Sequence, residues 1–297
     1  MTELPDGSRL SFGGEEFVFV ELTEHMSLSG ALRIQAITDA LAELDIDGII
    51  DICPSNASYL LRLDPDRCDP RTLREPILDL HRRFVDTTDV VLSTEILEVP
   101  VFYNDPWSTE TAMRFRDRHQ SSSETDLEYI SRVNGFGSIE DFVSAHSGNP
   151  FIVTFMCFVP GNAESMQLVP DEMQLQAPKY VRPRTDTPER ALGHGGAFAT
   201  IYPARGAGGY QLVGRAATPV FDLAQELPDF TDDPVLAKAG MIVKYRPIGH
   251  DEYVAIRDEV EQRTYRYRRA PVEFGLANFF EDPLSYNTSL LGELADV

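Results

Sequence analysis

The hydrophobic period of the first third of the chain switches back and forth, and that order restricts the fold more than anything else in the sequence. "FVFVELTEHMSL" (Phe17 to Leu28) opens with alternating apolar residues and reads as a strand. "SGALRIQAITDALAEL" (Ser29 to Leu44) then sets Leu32, Ala36, Ile37, Ala40, Leu41 and Leu44 on one helical face, with a serine start and a "DIDG" exit. "GIIDICPSNASYLLRLDP" (Gly48 to Pro65) predicts two strands broken at Pro54–Asn56. "DPRTLREPILDLHRRFVD" (Asp69 to Asp86) predicts a second amphipathic helix, and "VVLSTEILEVPVFY" a further strand. Elements in this order pack as an α+β sandwich that resembles a split βαβ unit.

The pattern then changes. Asn104 to Gly148 is polar and helical, with a helix start at "SSSE" and a turn at Gly135 and Gly137. From Pro150 through Phe221 short apolar runs alternate with Gly and Pro, the habit of an antiparallel barrel. The fold class read here is α+β, with a subdomain at 1–100, a helical connecting insertion at 101–149 and a barrel subdomain at 150–297.

Charge and motif content exclude several function classes. A formal net charge of −22 argues against nucleic acid or an anionic membrane as partner, since both need clustered positive charge. The longest apolar runs, such as "FIVTFMCFVP", fall short of the ~20 residues that span a bilayer. The start, "MTELPDGSRL", lacks the basic region and apolar core of a signal peptide, so a cytoplasmic location is expected. Cys53, Cys68 and Cys157 make neither a disulfide framework nor a C-x-x-C pair. The histidines show no H-x-x-x-H or H-E-x-x-H spacing, which leaves a metal site without support. There is no G-x-S-x-G elbow either.

One stretch stands against the acidic background. From Pro178 to Arg215, Lys179, Arg182, Arg184, Arg190, Arg205 and Arg215 are threaded through two glycine bursts, "GHGG" and "GAGGYQLVGR". "GYQLVGRA" has P-loop glycine spacing, but Arg215 and Ala216 replace the required Lys and Ser/Thr. The glycines read either as barrel corners or as a loop against which a flat ligand lies. His194, flanked by glycines, reads either as a ring facing a cavity or as a surface residue in a turn. Lys179, Arg182, Arg184 and Arg190 form either a solvated cationic rim or a set of donors for a carboxylate or developing oxyanion.

Four segments together resemble a known family. They are "LRIQAITDALAELDIDGIIDICPSNASYLLRLDP", "VPVFYNDPWSTETAMRFRDRHQ…DLEYISRVNGF", "KYVRPRTDTPERALGHGGAFATIYPARGAGGYQLVGR" and "GMIVKYRPIGHDEYVAIRDEVEQRTYRYR". The chain resembles the carboxyltransferase subdomain C and D family, of the allophanate hydrolase subunit 1 type, and within it the module of urea carboxylase. It is more distantly similar to the B-type subunit of the ATP-dependent oxoprolinase and to bacterial kinase-inhibitor proteins. The N-D-P helix leading to R-x-N-G resembles the urea-carboxylase branch. The family's "K-Y-N-P-x-R-T" appears as "KYVRPRT", with Val181 and Arg182 replacing Asn and Pro.

The resemblance implies a cyclophilin-like β-barrel after the α+β subdomain. It also implies transfer of a carboxyl group from carboxybiotin to urea or a related amide. Lys179, Tyr180 and Arg184 are the catalytic residues it implies, and Asn134, His194, Gly195, Gly196, Gly208, Gly209, Tyr210, Gln211 and Arg215 the substrate-binding ones. No lysine lies between methionines, so biotin is expected on a partner carrier and ATP use on a partner subunit. Expected partners are a second carboxyltransferase-module subunit, a biotin carboxylase, a biotin carrier protein and a small amide substrate. Two alternatives stand beside this reading: a subunit of an ATP-dependent amide or lactam hydrolase, and a non-enzymatic, kinase-inhibitor-like binding protein.

Overall fold

The computed structural model describes residues 2–295. They form two compact units, one of residues up to 93 with 154–156 and 273–282, the other of 94–153, 157–272 and 283 onward. The first unit holds strands β1 (Thr2–Glu3), β2 (Arg9–Gly13), β3 (Phe17–Glu21), β4 (Ile49–Pro54) and β5 (Ser58–Leu63), with helices α1 (Leu28–Glu43) and α2 (Arg74–Arg83). The sheet order is β1-β2-β3-β5-β4. Because β3 and β4 each pair antiparallel with β5, they run parallel to one another with β5 between them. That is the expected split βαβ arrangement, with α1 as its crossover.

Strand periodicity decides which face of this sheet is buried. Val18, Val20, Tyr59, Leu61 and Leu63 alternate along β3 and β5 and are all inaccessible to solvent. Helix α1 is capped by Ser27, whose side chain accepts from the Gly30 amide at 3.1 Å. Leu32, Ala36, Ile37, Ala40 and Leu41 are buried as their spacing predicts, whereas Leu44 lies beyond the last turn and is half exposed. Asp6 ties this unit together: its Oδ2 meets Arg33 Nη2 at 2.5 Å and His81 Nδ1 at 2.9 Å, and His81 Nε2 meets the Tyr59 hydroxyl at 3.0 Å. Burial would raise the Asp6 carboxyl, but hydrogen bonds from His81, the Ser8 amide and Arg33 hold it at about 2.

The second unit begins within the long strand β6 (Val91–Tyr103) and continues with α3 (Pro106–Arg114), α4 (Asp126–Val133) and α5 (Ile139–Gly148). Then come β7 (Phe151–Met156), β8 (Ala163–Gln167), β9 (Arg184–Thr187), β10 (Ala191–Gly195), β11 (Phe198–Ile201), β12 (Gly206–Gly208), β13 (Gln211–Ala216) and β14 (Ile242–Pro247). Helix α6 (His250–Glu261), strand β15 (Arg269–Gly275) and helix α8 (Pro283–Ala295) follow, while helix α7 (Leu276–Glu281) belongs to the first unit. Among the described residues the strands order as β13-β10-β11-β8-β7-β14-β6-β15, and a β13–β6 pairing closes seven of them into a barrel.

The expected antiparallel barrel is corrected in one respect. The pairs β10–β11, β10–β13, β8–β11, β6–β13 and β7–β14 are antiparallel, but β14 runs parallel to β6. The 13 residues of β6 are enough for two partners, Ile96–Val101 pairing with β14 and Val101–Tyr103 with β13. The residues expected as a connecting insertion, 101–149, and most of those expected as the barrel, 150–297, thus lie in one unit. Helix α4 starts at Asp126, capped by Thr125, and not at "SSSE". Thr125 Oγ1 accepts from the Glu128 amide at 3.2 Å, and the Glu128 carboxylate accepts from the Thr125 amide at 2.7 Å, a full capping box. Gly135 follows α4 at φ +78°, the left-handed conformation its turn requires.

Two histidines lie in the interior of this unit. His146 Nδ1 meets the Tyr103 hydroxyl at 2.9 Å, and its ring centroid is 5.3 Å from that of His194. Burial drives both imidazoles toward the neutral form, His194 to about 4 and His146 well below its ordinary value, the latter helped by His194 and Lys244. The three cysteines are free. Among the described residues no helix is long and apolar enough to cross a membrane.

Candidate functional site

The cationic stretch is held in place by a buried carboxylate. Asp126, the first residue of α4, is inaccessible to solvent and accepts from the Leu212 amide at 2.7 Å, from the Tyr180 hydroxyl and from Arg116 Nη2. Arg184 is fully buried beside it. Its Nη1 donates to the Tyr210 carbonyl at 2.8 Å, its Nε to Thr187 Oγ1 at 3.2 Å, and its guanidinium lies 4.4 Å from the Tyr180 ring centroid. Backbone bonds complete the hold. Gln211 Nε2 donates to the Pro178 carbonyl at 2.6 Å, Tyr180 N to the Gly209 carbonyl at 2.8 Å, and Gln120 Nε2 to the Lys179 carbonyl.

What this scaffold leaves free is the Lys179 side chain, at the edge of a cleft of about 300 Å³. The Lys179 ammonium sits 4.9 Å from the Tyr210 ring centroid, a cation–π distance. Tyr210 donates its hydroxyl to Glu164, and Tyr202 and Phe158 supply flat apolar surface. Burial raises the Tyr210 phenol far above its ordinary value and the hydrogen bond to Glu164 raises it further, so the phenol keeps its proton. Burial, then the Glu164 charge, also pushes the neighbouring Cys157 thiol up to about 11. Phe158 is at the mouth, two-thirds exposed and at φ +70°, an uncommon conformation for an aromatic residue.

Gly208 shapes the cleft directly, and Gly195 makes room for the Tyr210 ring. A Cβ on Gly208 would stand 2.7 Å from the Tyr202 ring, and one on Gly195 would stand 2.4 Å from Tyr210 Cδ1. Gly209 has only ordinary contact distances, 3.9 Å to Pro183, and Gly196 takes φ +61° with room around it. Chemically, the cleft combines an exposed cation, a carboxylate fixed by a phenol, and planar walls. That set suits a small, flat, polar molecule on which negative charge develops.

The residues singled out in the sequence do not all converge here. Lys179, Gly208, Gly209 and Tyr210 line the cleft. Tyr180, Arg184 and Gln211 are buried beneath it and act through what they hold, so the cationic-rim reading fails for Arg184. It fails for Arg190 too, whose Nη1 donates to the Tyr253 hydroxyl at 3.1 Å and to the Ala216 carbonyl at 3.3 Å. Asn134 clamps the chain before Pro178, giving Nδ2 to the Gln176 carbonyl at 2.8 Å and accepting the Gln176 amide at 2.9 Å. His194 is neither in a surface turn nor in the cleft; it is buried, its Nε2 at 3.0 Å from the Leu175 carbonyl. Arg215 lines a different cleft, with Trp107.

Sequence reasoning missed Glu164, Asp126 and Phe158. Asp126 carried a usable signal, since it directly follows Thr125, the first residue of the T-x-x-E cap. Glu164 carried none, as one carboxylate among 48 acidic residues.

This barrel has known relatives, and residues 8–231 match the family "Carboxyltransferase domain, subdomain C and D". The chain belongs to that carboxyltransferase family. Within it, the chain is 26% identical over 237 residues to the B-type subunit of 5-oxoprolinase from Escherichia coli O157:H7, covering 79% of this chain and 93% of that protein. It is 22% identical over 257 residues to urea amidolyase of Saccharomyces cerevisiae, covering 85% of this chain but only 14% of the yeast protein. The crystal structure of Kluyveromyces lactis urea carboxylase superposes with a TM-score of 0.79 at 20% identity, over 100% of this chain and 26% of that one. The family fold thus spans the whole chain, and the yeast enzymes are several times longer than the part they share with it.

Proposed function

We propose that this chain is a carboxyltransferase subunit of a urea-carboxylase-like, biotin-dependent system that passes a carboxyl group to urea or a related amide in the cytoplasm. The observation that carries the reading is the cleft holding Lys179, Glu164 and Tyr210 within the carboxyltransferase fold. Its flat walls and single cation fit a ureido ring and a planar amide. Carboxybiotin, borne by a partner carrier and charged by a biotin carboxylase that uses ATP, supplies the carboxyl group. Lys179 stabilises charge that develops on oxygen, as a positioned donor does. Glu164, held by the Tyr210 hydroxyl through Oε1, would take the proton that the acceptor nitrogen loses and return it to the ureido nitrogen that releases the carboxyl group. Tyr180, Arg184 and Asp126 keep the Lys179 backbone in register.

A second reading is favoured by one observation, the match to the B-type subunit of 5-oxoprolinase over 93% of its length. It makes the chain half of an ATP-dependent amide or lactam hydrolase. One experiment separates the two. The chain is co-expressed with a second carboxyltransferase-module protein, and ADP release is followed with biotin carboxylase and biotinylated carrier present. Urea-dependent release that needs all components supports the first reading. Release that needs oxoproline and no biotinylated protein transfers the assignment to the second. Substrate-dependent turnover by the isolated chain overturns both.

A further inference from the structure

We propose that a second cleft, built by α3 against β9 and β13, binds a small oxyanion, a carboxylate or phosphate. It has a volume of about 470 Å³ and shares no lining residue with the Lys179 cleft. Helix α3 builds one wall in a regular stripe: Trp107, Glu110, Thr111 and Arg114 are spaced i, i+3, i+4 and i+7, so they share a face, while Ser108 and Ala112 turn inward. The opposite wall brings Asp186 from β9, Arg205, and Arg215 from β13.

The arginines are poised in different ways. Asp186 is gripped from two sides, by Arg114 Nη2 at 2.8 Å and by Arg205 Nε at 2.6 Å and Nη2 at 2.8 Å. These contacts hold its carboxyl below the usual range, Arg205 contributing most. One carboxylate shared by two guanidinium groups leaves the Asp186 corner positive, although the whole lining balances three arginines against Glu110, Asp186 and Glu189. Arg215 is held differently, by its Nε to the Glu189 carbonyl at 3.2 Å and by its position 5.6 Å from the Trp107 ring centroid. Among the described residues its two terminal nitrogens have no acceptor. A guanidinium fixed by its Nε and by a ring presents its outer fork to the cleft, the geometry that takes an oxyanion through two parallel bonds. Glu189 is offset by Arg190 at 3.4 Å, whereas Glu110 opposes an anion and sets a limit on affinity.

Trp107 makes the site measurable, because it is the only tryptophan in the chain and it lines this cleft. The probes are inorganic phosphate and malonate, each compared with chloride at matched ionic strength. The expected result is a saturable change in Trp107 emission with one probe or both, which also identifies the oxyanion. The response should weaken at least about tenfold in Arg215→Gln, by loss of a charge-assisted pair, and strengthen in Glu110→Gln. Circular dichroism checks that Arg215→Gln is folded; if it is not, the exposed Glu110→Gln carries the test. A linear response equal to that of chloride overturns the site, as does an unchanged affinity in both variants.

Discussion

The Tyr180 hydroxyl lies 2.7 Å from one oxygen of Asp126 and 2.9 Å from the other, so a residue of the cationic stretch is fastened to the first turn of α4. The same carboxylate takes the Leu212 amide and Arg116. One buried charge thereby sets the position of the strand β13 and of the segment that carries Lys179.

That arrangement predicts the cost of removing it. Asp126→Ala strands the Arg116 charge and the Leu212 amide away from water, and loss of one member of a buried pair costs about 3–5 kcal/mol. Denaturant titration followed by circular dichroism should show that loss. A variant as stable as the wild type would mean that Asp126 holds nothing.

Lys179 and Arg184 should behave oppositely although both belong to the same motif. Lys179 is exposed, so Lys179→Ala should leave the melting temperature unchanged and cut turnover of the assembled complex about 100- to 1000-fold. Arg184 is fully buried, so Arg184→Ala should lower stability first. Equal melting temperatures for the two variants would contradict their placement.

Adjacent glycines should separate as cleanly. Gly208→Ala puts a Cβ 2.7 Å from the Tyr202 ring and should cost about 1–3 kcal/mol by overpacking, with weakened ligand binding. Gly209→Ala has only Pro183 at 3.9 Å and should be close to neutral. Thermal melts of the two variants, compared side by side, decide the matter. A reversed order would place the close approach elsewhere.

Buried neutral histidines make stability depend on pH. Unfolded histidines protonate near ~6.5, whereas burial lowers His194 to about 4 and holds His146 well below its ordinary value. Below pH ~6.5 the unfolded chain therefore binds protons that the folded chain refuses, and stability falls as pH drops toward 4. Above that window these two residues contribute no slope. Urea titrations at a series of pH values should show the decline, reduced in His194→Gln. A flat profile from neutrality to pH 4 would indicate that both rings are accessible.

How much of this was legible in the sequence follows from how far each cause reaches along the chain. Alternation in "FVFV", the stripe from Leu32 to Leu41, and the break at Pro54–Asn56 are local, and each became the element its period predicts, because backbone geometry repeats over a few residues. The family likeness was likewise carried by short segments. Closure of the barrel was not local. It depends on β6 meeting β13 and β14, partners more than a hundred residues away, one of them in parallel. The fate of the charges was equally hidden: Lys179 and Arg184 look alike in "KYVRPRT", and only the burial of Asp126 against Arg184 and Tyr180 makes one a free cation and the other a fastening. Periodicity states which residues share a face; which faces meet, and which charges lose their water there, is settled by long-range packing.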